Sequence, residues 1–312
     1  MTLNFERIAV LGATGPTGRT LITELDNQGY AVRAVSRNRE SMQVCFPEAR
    51  IEKRVGDALD YPSLAGALEG CDLVVDCIGR PADRMLDHPV TARHLAQWLE
   101  FSGCHCLQVT SYWSFLPIRQ LPVTESHPRE AGPPWVRLRR ETEDILRDAG
   151  AAIVHLPDFF GPHVHASTLQ NALIDALQGK PMNWLGSADV ARDYIYVPDA
   201  MRIVARLLTQ PQAYGDDWIL PGSGPLTAHR LAELLEELLQ RKVKVRAASP
   251  WLLRLLSLFN KDLRGLMQIV PDYVKPISFD GAKLDRLLGE IPRTNYPEAL
   301  RRTVTALRQS SA

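Results

Sequence analysis

Three glycines at regular spacing give the first indication of chemistry in this sequence. Gly12, Gly15 and Gly18 form a G-x-x-G-x-x-G loop between an apolar run and a helical pattern. Gly12 permits a tight turn, Gly15 lets the backbone approach a diphosphate, and Gly18 allows close packing of helix on strand. A helix start also offers free N–H groups and a partial positive charge to an anion. The spacing therefore predicts a dinucleotide site; the alternative is a glycine-rich turn that binds no ligand.

The other residues of this loop fit the same role. Pro16 suits the first turn of a helix, because its missing N–H group has no intrahelical partner there. The hydroxyl groups of Thr14 and Thr17 can donate hydrogen bonds to phosphate oxygens. We therefore expect the whole of residues 12–18 to hold the diphosphate.

The residues after the second strand-like run select between the two nicotinamide dinucleotides. An NAD site usually places an acid about 20 residues past the loop, where it binds the ribose 2′-hydroxyl. Here no acid stands at Ser36 or Arg37, and Arg39 follows closely. A guanidinium group binds a 2′-phosphate well through its forked donors. The sequence thus predicts NADP rather than NAD, with Arg37 on the phosphate; the alternative is that both arginines are solvated loop charges.

A carboxylate follows the third strand-like run as well. Asp57 comes two residues after the run 51–55. At this place it can meet the adenine amino group of a bound dinucleotide. The structural alternative is that Asp57 caps the helix that begins near Pro62.

These residues need a scaffold of strands and helices, and the chain has the pattern of one. Apolar runs predict strands at 7–11, 31–36, 51–55, 72–78, 104–110 and 151–156. Helical spacing predicts helices between them, at 17–28, 61–68, 89–101 and 135–149. This alternation indicates an α/β fold of the Rossmann type, a doubly wound parallel sheet with helices on both faces.

The second half of the chain has a looser pattern. Helices are predicted at 167–178, 199–208 and 227–239, and short strands at 194–197, 218–220 and 243–247. This mixture indicates a smaller mixed α/β carboxyl-terminal lobe. We expect a dinucleotide-binding domain at 1–156, completed by parts of 190–210, and an interwoven substrate lobe at 157–312.

Composition argues against several other classes of function. Lys plus Arg and Asp plus Glu both number 36, so the formal net charge is zero and a basic nucleic-acid footprint is absent. No apolar run reaches the ~18 residues of a membrane span. The first residues lack the pattern of a secretory signal, so we expect a cytoplasmic protein. Five cysteines without a framework spacing favour reduced thiols over disulfides or a metal site.

Further motifs follow the glycine loop in a fixed order. They are Cys77-Ile-Gly79, Val109-Thr-Ser111, Leu156-Pro-Asp-Phe-Phe-Gly-Pro162 and Arg192-Asp-Tyr-Ile-Tyr-Val-Pro-Asp-Ala200. With the loop, they resemble the short-chain dehydrogenase/reductase superfamily, in its extended or atypical branch, which includes nucleotide-sugar epimerases and dehydratases. The resemblance extends from residue 7 to about residue 222, and it implies an NAD(P)-binding oxidoreductase or an epimerase/dehydratase-like enzyme.

The resemblance also implies roles for single residues. Ser111 stands at the catalytic serine or threonine of the family, where it can hydrogen-bond a substrate carbonyl. Residues implied in cofactor binding are Cys77, Ile78, Gly79, Thr110, Pro157 and Phe160. For Phe160 the alternative is a plain core residue, as is common for aromatic side chains.

The chain departs from the family at the Y-x-x-x-K motif, for which the best register is Trp135 and Arg139. An indole N–H does not ionise in the relevant range, so Trp135 cannot act as the acid/base tyrosine. Arg139 can bind ribose hydroxyls as the family's lysine does, although it stays protonated; the alternative is an ordinary exposed helix pair with Glu143. Tyr112, directly after Ser111, is the nearest replacement acid, and the alternative is that it forms a wall of the site.

Two functions are therefore open at this point. The first is an NADP(H)-binding oxidoreductase or epimerase/dehydratase-like enzyme for a small carbonyl or sugar-type substrate. The second is a non-catalytic NADP-binding redox sensor, regulator or assembly factor. For a sugar-nucleotide diphosphate, the cations available in the later lobe are Arg192, Arg230 and Lys275. The only partners expected are a small-molecule substrate and, by resemblance, a second copy that packs through helices 89–101 and 135–149.

Overall fold

The larger sheet of the protein has seven strands in a doubly wound order. The computed structural model describes residues 2–130, 132–165, 167–248, 251, 254, 265 and 267–310. Its strands are β1 (Arg7–Leu11), β2 (Ala31–Ser36), β3 (Glu52–Val55), β4 (Leu73–Asp76), β5 (His105–Ser111), β6 (Ala152–Leu156), β7 (Asp158–Phe160), β8 (Met182–Leu185), β9 (Arg192–Tyr196), β10 (Asp217–Ile219), β11 (Pro225–Leu226) and β12 (Val245–Ala248). The seven-stranded sheet has the order β10-β6-β5-β4-β1-β2-β3. Pairing is parallel between β1 and both β2 and β4, between β2 and β3, and between β4 and β5. The predicted Rossmann-type fold is confirmed.

Helices alternate with the strands along the chain. They are α1 (Pro16–Asn27), α2 (Arg39–Cys45), α3 (Tyr61–Leu68), α4 (Asp87–Ser102), α5 (Pro134–Asp148), α6 (Thr168–Leu177), α7 (Val197–Leu207) and α8 (Ala228–Leu239), followed by helical segments at Val270–Tyr273, Ala282–Leu288 and Tyr296–Ser310. The bounds of β1, β2 and α3 are those that the sequence predicts. Among the described residues, no helix is long and apolar enough to cross a membrane.

The first of two compact units consists of Met1–Ser111, Arg137–His155 and Ala200–Trp218. Its strand β4 is buried at every position, as a parallel strand covered on both faces requires. Helices α3, α4 and α5 pack apolar side chains against the sheet, including Leu64, Leu95 and Leu146. The carboxyl ends of these parallel strands lie at one edge of the sheet, and the predicted cofactor residues follow them.

The second unit consists of Tyr112–Val136, Leu156–Asp199 and Ile219–Ala312. It contains a three-stranded sheet of order β11-β9-β7, in which β7 is parallel and β11 antiparallel to β9. A parallel pair of β8 and β12 is separate from this sheet. The core of the unit includes Trp184 and Leu231. The mixed α/β pattern predicted for the later half is therefore present.

Candidate functional site

The glycine loop has the geometry of a phosphate-binding turn. Gly12 has a φ of +68°, and a Cβ atom there would lie 2.7 Å from the carbonyl oxygen of Cys77. A Cβ at Gly18 would clash with the Gly12 carbonyl, whereas one at Gly15 would meet only that carbonyl, at 3.3 Å. The N–H of Gly15 donates to the Gly12 carbonyl at 2.9 Å, which closes the turn. The loop therefore requires two glycines for its own fold, while Gly15 leaves open space beside the helix start.

The start of α1 can accept an anion. Gly15 is the N-cap residue, no side chain caps the helix, and no acidic residue stands in its first turn. The first N–H groups of a helix have no intrahelical partner, and the first such bond here runs from Arg19 N to Gly15 O. Thr14 is partly exposed, but the Thr17 side chain is buried and bonds the Cys77 thiol. The group of Thr17 that can donate to a phosphate is thus its backbone N–H rather than its hydroxyl.

Arg37 and Arg39, which the sequence treats alike, have different surroundings. The structure contains helix α2, which the sequence analysis missed; Asn38 caps this helix by accepting from Ser41 N at 2.9 Å, and Arg39 is its first residue. Arg37 is exposed and makes no hydrogen bond or ion pair with any residue that the structure describes. Arg39 is exposed as well, so position separates the two arginines: Arg37 directly follows β2, whereas Arg39 is part of α2.

The sequence analysis gave Asp57 two alternative roles, a contact with adenine and a helix cap. The structure assigns the cap to Asp60. The N-cap of α3 is Asp60, whose carboxylate accepts from Ser63 N at 3.2 Å. Asp57 instead accepts from Leu59 N at 3.0 Å within its own turn. The capping alternative for Asp57 is therefore wrong, and its contact with adenine stays a prediction.

The end of β4 carries an acid that the sequence analysis missed. Asp76 is 4% exposed; its carboxylate accepts from Ile78 N at 3.0 Å and from Gln108 Nε2 at 3.2 Å. Burial raises the pKa of Asp76, and the same effect raises the pKa of the Cys77 thiol beside it. Gly79 is exposed, whereas Cys77 is buried, so these two predicted cofactor residues differ in access. A polar residue ending an otherwise apolar run was the signal for Asp76.

Two further polar side chains of the first unit are Arg80, whose charge acts on Asp76, and His88, on which the charge of Arg80 acts in turn. The Arg80 guanidinium bonds the Thr91 hydroxyl at 2.5 Å and lies 3.6 Å from Asp87. His88 is 4% exposed, and its Nε2 has no hydrogen-bond partner among the described residues. Burial and the charges of Arg139 and Arg80 lower the pKa of His88 to about 2. The imidazole is therefore neutral at ordinary pH.

Arg139 is brought to the end of β5. Its Nη1 donates to the Thr110 hydroxyl at 3.3 Å, and that hydroxyl donates to Glu143 Oε1 at 3.0 Å. Burial lowers the pKa of Arg139, while the charges of Glu143 and Asp76 oppose this shift. Arg139 is partly buried and Glu143 is fully buried, so the alternative of an ordinary exposed pair is wrong. Ser111 ends the same strand.

Tyr112 belongs to the second unit, where it is enclosed. The side chain is 1% exposed, and its hydroxyl accepts from Arg192 Nη2 at 2.7 Å. Burial raises the pKa of Tyr112 further above its ordinary range. Arg192 also donates through Nη1 to the carbonyls of Tyr273 and Lys275, at 2.6 and 2.7 Å. These contacts favour the wall interpretation of Tyr112 over the acid interpretation.

The remaining predicted residues of the second unit are part of its packing. Trp135 is 8% exposed and stacks on Trp113, with ring centroids 6.4 Å apart. Phe160 is 0% exposed and packs against Tyr196 and Tyr296. Pro157 is buried as well. For Phe160 this environment favours the core interpretation.

Two family models match this arrangement of loop, strands and helices. One, described as NAD(P)H-binding, matches residues 12–151, and the other, described as NAD dependent epimerase/dehydratase family, matches residues 139–219. Together the two matched regions run from residue 12 to residue 219. The resemblance to NAD(P)-binding and epimerase/dehydratase proteins that was inferred from the sequence motifs is thereby confirmed.

Individual proteins are similar to parts of this chain. Oxidoreductase ptaF of Pestalotiopsis fici is 39% identical over 77 residues, which is 23% of this chain and 30% of that protein. The dTDP-glucose 4,6-dehydratase of Haemophilus influenzae is 23% identical over 211 residues, which is 64% of this chain and 59% of that enzyme. The chain thus spans less than two thirds of either curated relative.

A solved structure shows the same fold as this chain. The dTDP-glucose 4,6-dehydratase of Bacillus anthracis, in complex with NAD, matches with a TM-score of 0.81 at 13% identity, covering 97% of this chain and 96% of that one. At this level of identity the likeness concerns the fold alone.

Proposed function

We propose that the chain is an NADP(H)-dependent oxidoreductase that acts on a small carbonyl substrate. The observation that carries the proposal is the pairing of a bare helix start after β1 with Arg37 after β2. Because β1 and β2 are neighbouring parallel strands, with Leu11 paired to Val35, both features lie at one edge of the sheet. An adenosine ribose bound there has the diphosphate on one side and a guanidinium for its 2′-phosphate on the other.

The residues of the other half of the sheet support the same proposal. Dinucleotides bind across the point where strand order reverses, so the nicotinamide half belongs beside β4 and β5. There, Arg139 and Thr110 offer donors for ribose hydroxyl groups, and Ser111 can hydrogen-bond a carbonyl oxygen. The cofactor supplies hydride chemistry when bound, while the protein binds and orients it.

The cations of the second unit support a small carbonyl substrate over a sugar nucleotide. Arg192 is 2% exposed and uses both terminal nitrogens on Tyr112 and on backbone carbonyls. Arg230 pairs with Glu233, and Lys275 pairs with Asp272. The three cations that the sequence offered for a nucleotide diphosphate therefore already have partners within the chain.

A second candidate is a non-catalytic NADP(H)-binding sensor, regulator or assembly factor. The observation that favours it concerns Tyr112 and Trp135, the two residues considered for the place of the family's proton donor. Tyr112 is held by Arg192, and Trp135 is stacked on Trp113. Neither side chain provides a proton donor at ordinary pH, because one is an enclosed phenol of raised pKa and the other an indole.

Binding and turnover measurements separate these functions. We expect fluorescence titration to give tighter binding of NADPH than of NADH. Arg37→Ala should weaken NADPH about tenfold and leave NADH nearly unchanged, since one charge-assisted contact to phosphate is lost. Arg39→Ala is the matched control and should change neither affinity. NADPH oxidation with a panel of aldehydes and ketones supports the enzyme; tight binding without turnover supports the sensor, and an absence of binding contradicts both.

We also propose that the chain forms a homodimer through α4 and α5. Two large apolar side chains on or beside α4 are exposed, with Phe101 at 77% and Leu86 at 71%. They lie at the two ends of α4, a helix that the family resemblance places in the dimer contact. Analytical ultracentrifugation tests this proposal, because Phe101→Asp should convert a dimer to a monomer; a monomeric unmodified chain contradicts it.

A further inference from the structure

A line of polar side chains crosses the first unit from the end of β5 to β10. It begins where Arg139 donates to Thr110 and Thr110 donates to Glu143. Glu143 Oε1 lies 3.8 Å from Nδ1 of His155, and Nε2 of His155 lies 2.6 Å from Oδ1 of Asp217. The line therefore joins a partly exposed arginine to residues on three strands of the sheet.

The central side chains of this line are buried, so they need hydrogen-bonding partners in fixed positions. The side chains of Glu143 and His155 are 0% exposed, while that of Asp217 is 15% exposed. A carboxylate without water is costly unless it is paired and hydrogen-bonded. Glu143 meets this condition through Thr110, His155 and the charge of Arg139. Glu143 therefore shares contacts with Thr110 on β5 and with His155 on β6, so that its position is tied to both strands.

Helix α5 is attached to this line at two points. Arg139 lies at one end, and Arg147, two turns later, donates to both carboxylate oxygens of Asp217 at 2.8 and 3.0 Å. The two contacts fix the rotation and the axial position of α5 on the sheet. Since Arg139 is partly exposed and Glu143 is not, only Arg139 can reach a ligand.

We infer that Glu143 and His155 are positioning residues, which hold the Arg139 guanidinium for the hydroxyl groups of the nicotinamide ribose. The inference rests on the proposed NADP(H) function and adds two buried residues to it. They act through Arg139 and Thr110 and touch no ligand themselves. The chemistry recognised is a vicinal diol, to which a fixed guanidinium donates hydrogen bonds.

A comparison of two ligands tests this inference. NADPH contains the nicotinamide ribose, whereas adenosine 2′,5′-bisphosphate contains the 2′-phosphate without that ribose. We expect Glu143→Gln to raise the Kd for NADPH about tenfold, the order of one charge-assisted hydrogen bond. The Kd for adenosine 2′,5′-bisphosphate should stay within about twofold, which also shows that the variant is folded. Glu141→Gln, at an exposed residue of the same helix that pairs with Arg93, is the control and should change neither.

A double-mutant cycle separates positioning from a general structural role. Arg139→Met gives the full loss of the ribose contact, and adding Glu143→Gln to it should cause no further loss of NADPH affinity. His155→Gln provides a second route, with the same ligand split, if Glu143→Gln does not fold. Equal losses for both ligands, or additive losses in the cycle, overturn the inference while the NADP(H) function stands. An unmodified chain that binds neither ligand overturns both.

Discussion

The hydroxyl oxygen of Tyr112 lies 2.7 Å from Nη2 of Arg192, in a part of the second unit where both side chains are almost completely buried. Arg192 Nη2 also lies 3.4 Å from Oδ2 of Asp158. The phenol oxygen in this position accepts a hydrogen bond from a buried guanidinium group. Its first contribution is thus to the stability of the unit.

Removal of this hydroxyl should therefore lower stability. For Tyr112→Phe we expect the free energy of unfolding to fall by about 1–3 kcal/mol, because a buried charged donor loses the nearer of its two acceptors. Urea unfolding measures this loss, and NADPH affinity should not change. Tyr61→Phe is the control, since the Tyr61 hydroxyl makes no hydrogen bond with the described residues. Loss of turnover at unchanged stability would make Tyr112 the proton donor instead.

Gly15→Asp should separate folding from nucleotide binding. A Cβ at this position meets only the Gly12 carbonyl, at 3.3 Å, and aspartate is a favoured N-cap residue. We expect the variant to fold with unchanged or higher melting temperature and to bind NADPH at least about 100-fold more weakly, because a carboxylate faces the diphosphate. Gly15→Asn has the same size without the charge and should bind more tightly than Gly15→Asp. Unchanged affinity in both variants means that the loop does not hold the diphosphate.

Asp57 and Asp60 should respond differently to alanine substitution. Asp60→Ala removes the cap of α3 and should cost about 1 kcal/mol of unfolding free energy, with NADPH affinity unchanged. Asp57→Ala should weaken NADPH if Asp57 contacts adenine, and isothermal titration calorimetry measures the change. An Asp57→Ala variant that binds normally would leave only the turn contact with Leu59 as its role.

His88 should make the protein less stable in acid. Its pKa falls from the ordinary 6.5 to about 2 in the folded chain, so below pH 6.5 the unfolded chain binds a proton that the folded chain does not. Stability from this residue is therefore lost as the pH falls through 6.5, by about 1.4 kcal/mol per pH unit. Urea unfolding at several pH values should give a shallower loss for His88→Gln. His229→Gln, at a largely exposed residue, should keep the slope of the unmodified chain.

Local sequence pattern predicted the parallel sheet well, because each buried strand appears as an apolar run with turn residues after it. It missed α2, β7, β8 and β11, which are short, and it also missed the helical segments Val270–Tyr273, Ala282–Leu288 and Tyr296–Ser310. The glycine loop could be located because the turn itself requires glycine at fixed positions: Gly12 has a positive φ, and no Cβ fits at Gly18.

The surroundings of Arg139 could not be derived in the same way. An Arg and a Glu four residues apart have the same spacing whether the pair is exposed or buried. The buried Glu143 contacts His155, from a strand after the helix, and His155 contacts Asp217, more than sixty residues later. Contacts between residues so far apart in the sequence cannot be predicted from the spacing of apolar residues within one helix or strand. The contact between Tyr112 and Arg192 is of the same kind.

The first unit is assembled from three separated stretches of chain, and its edge strand β10 is the last to be made. Until residues 217–219 have been synthesised, β6 is the edge strand of the sheet and has no neighbour on one side. His155 on β6 then has the Glu143 carboxylate beside it but not that of Asp217. A truncated chain that ends at residue 156 would keep every residue of the glycine loop and still present an open, aggregation-prone strand. The sheet that carries the glycine loop is thus completed only by residues about 200 positions further along the chain.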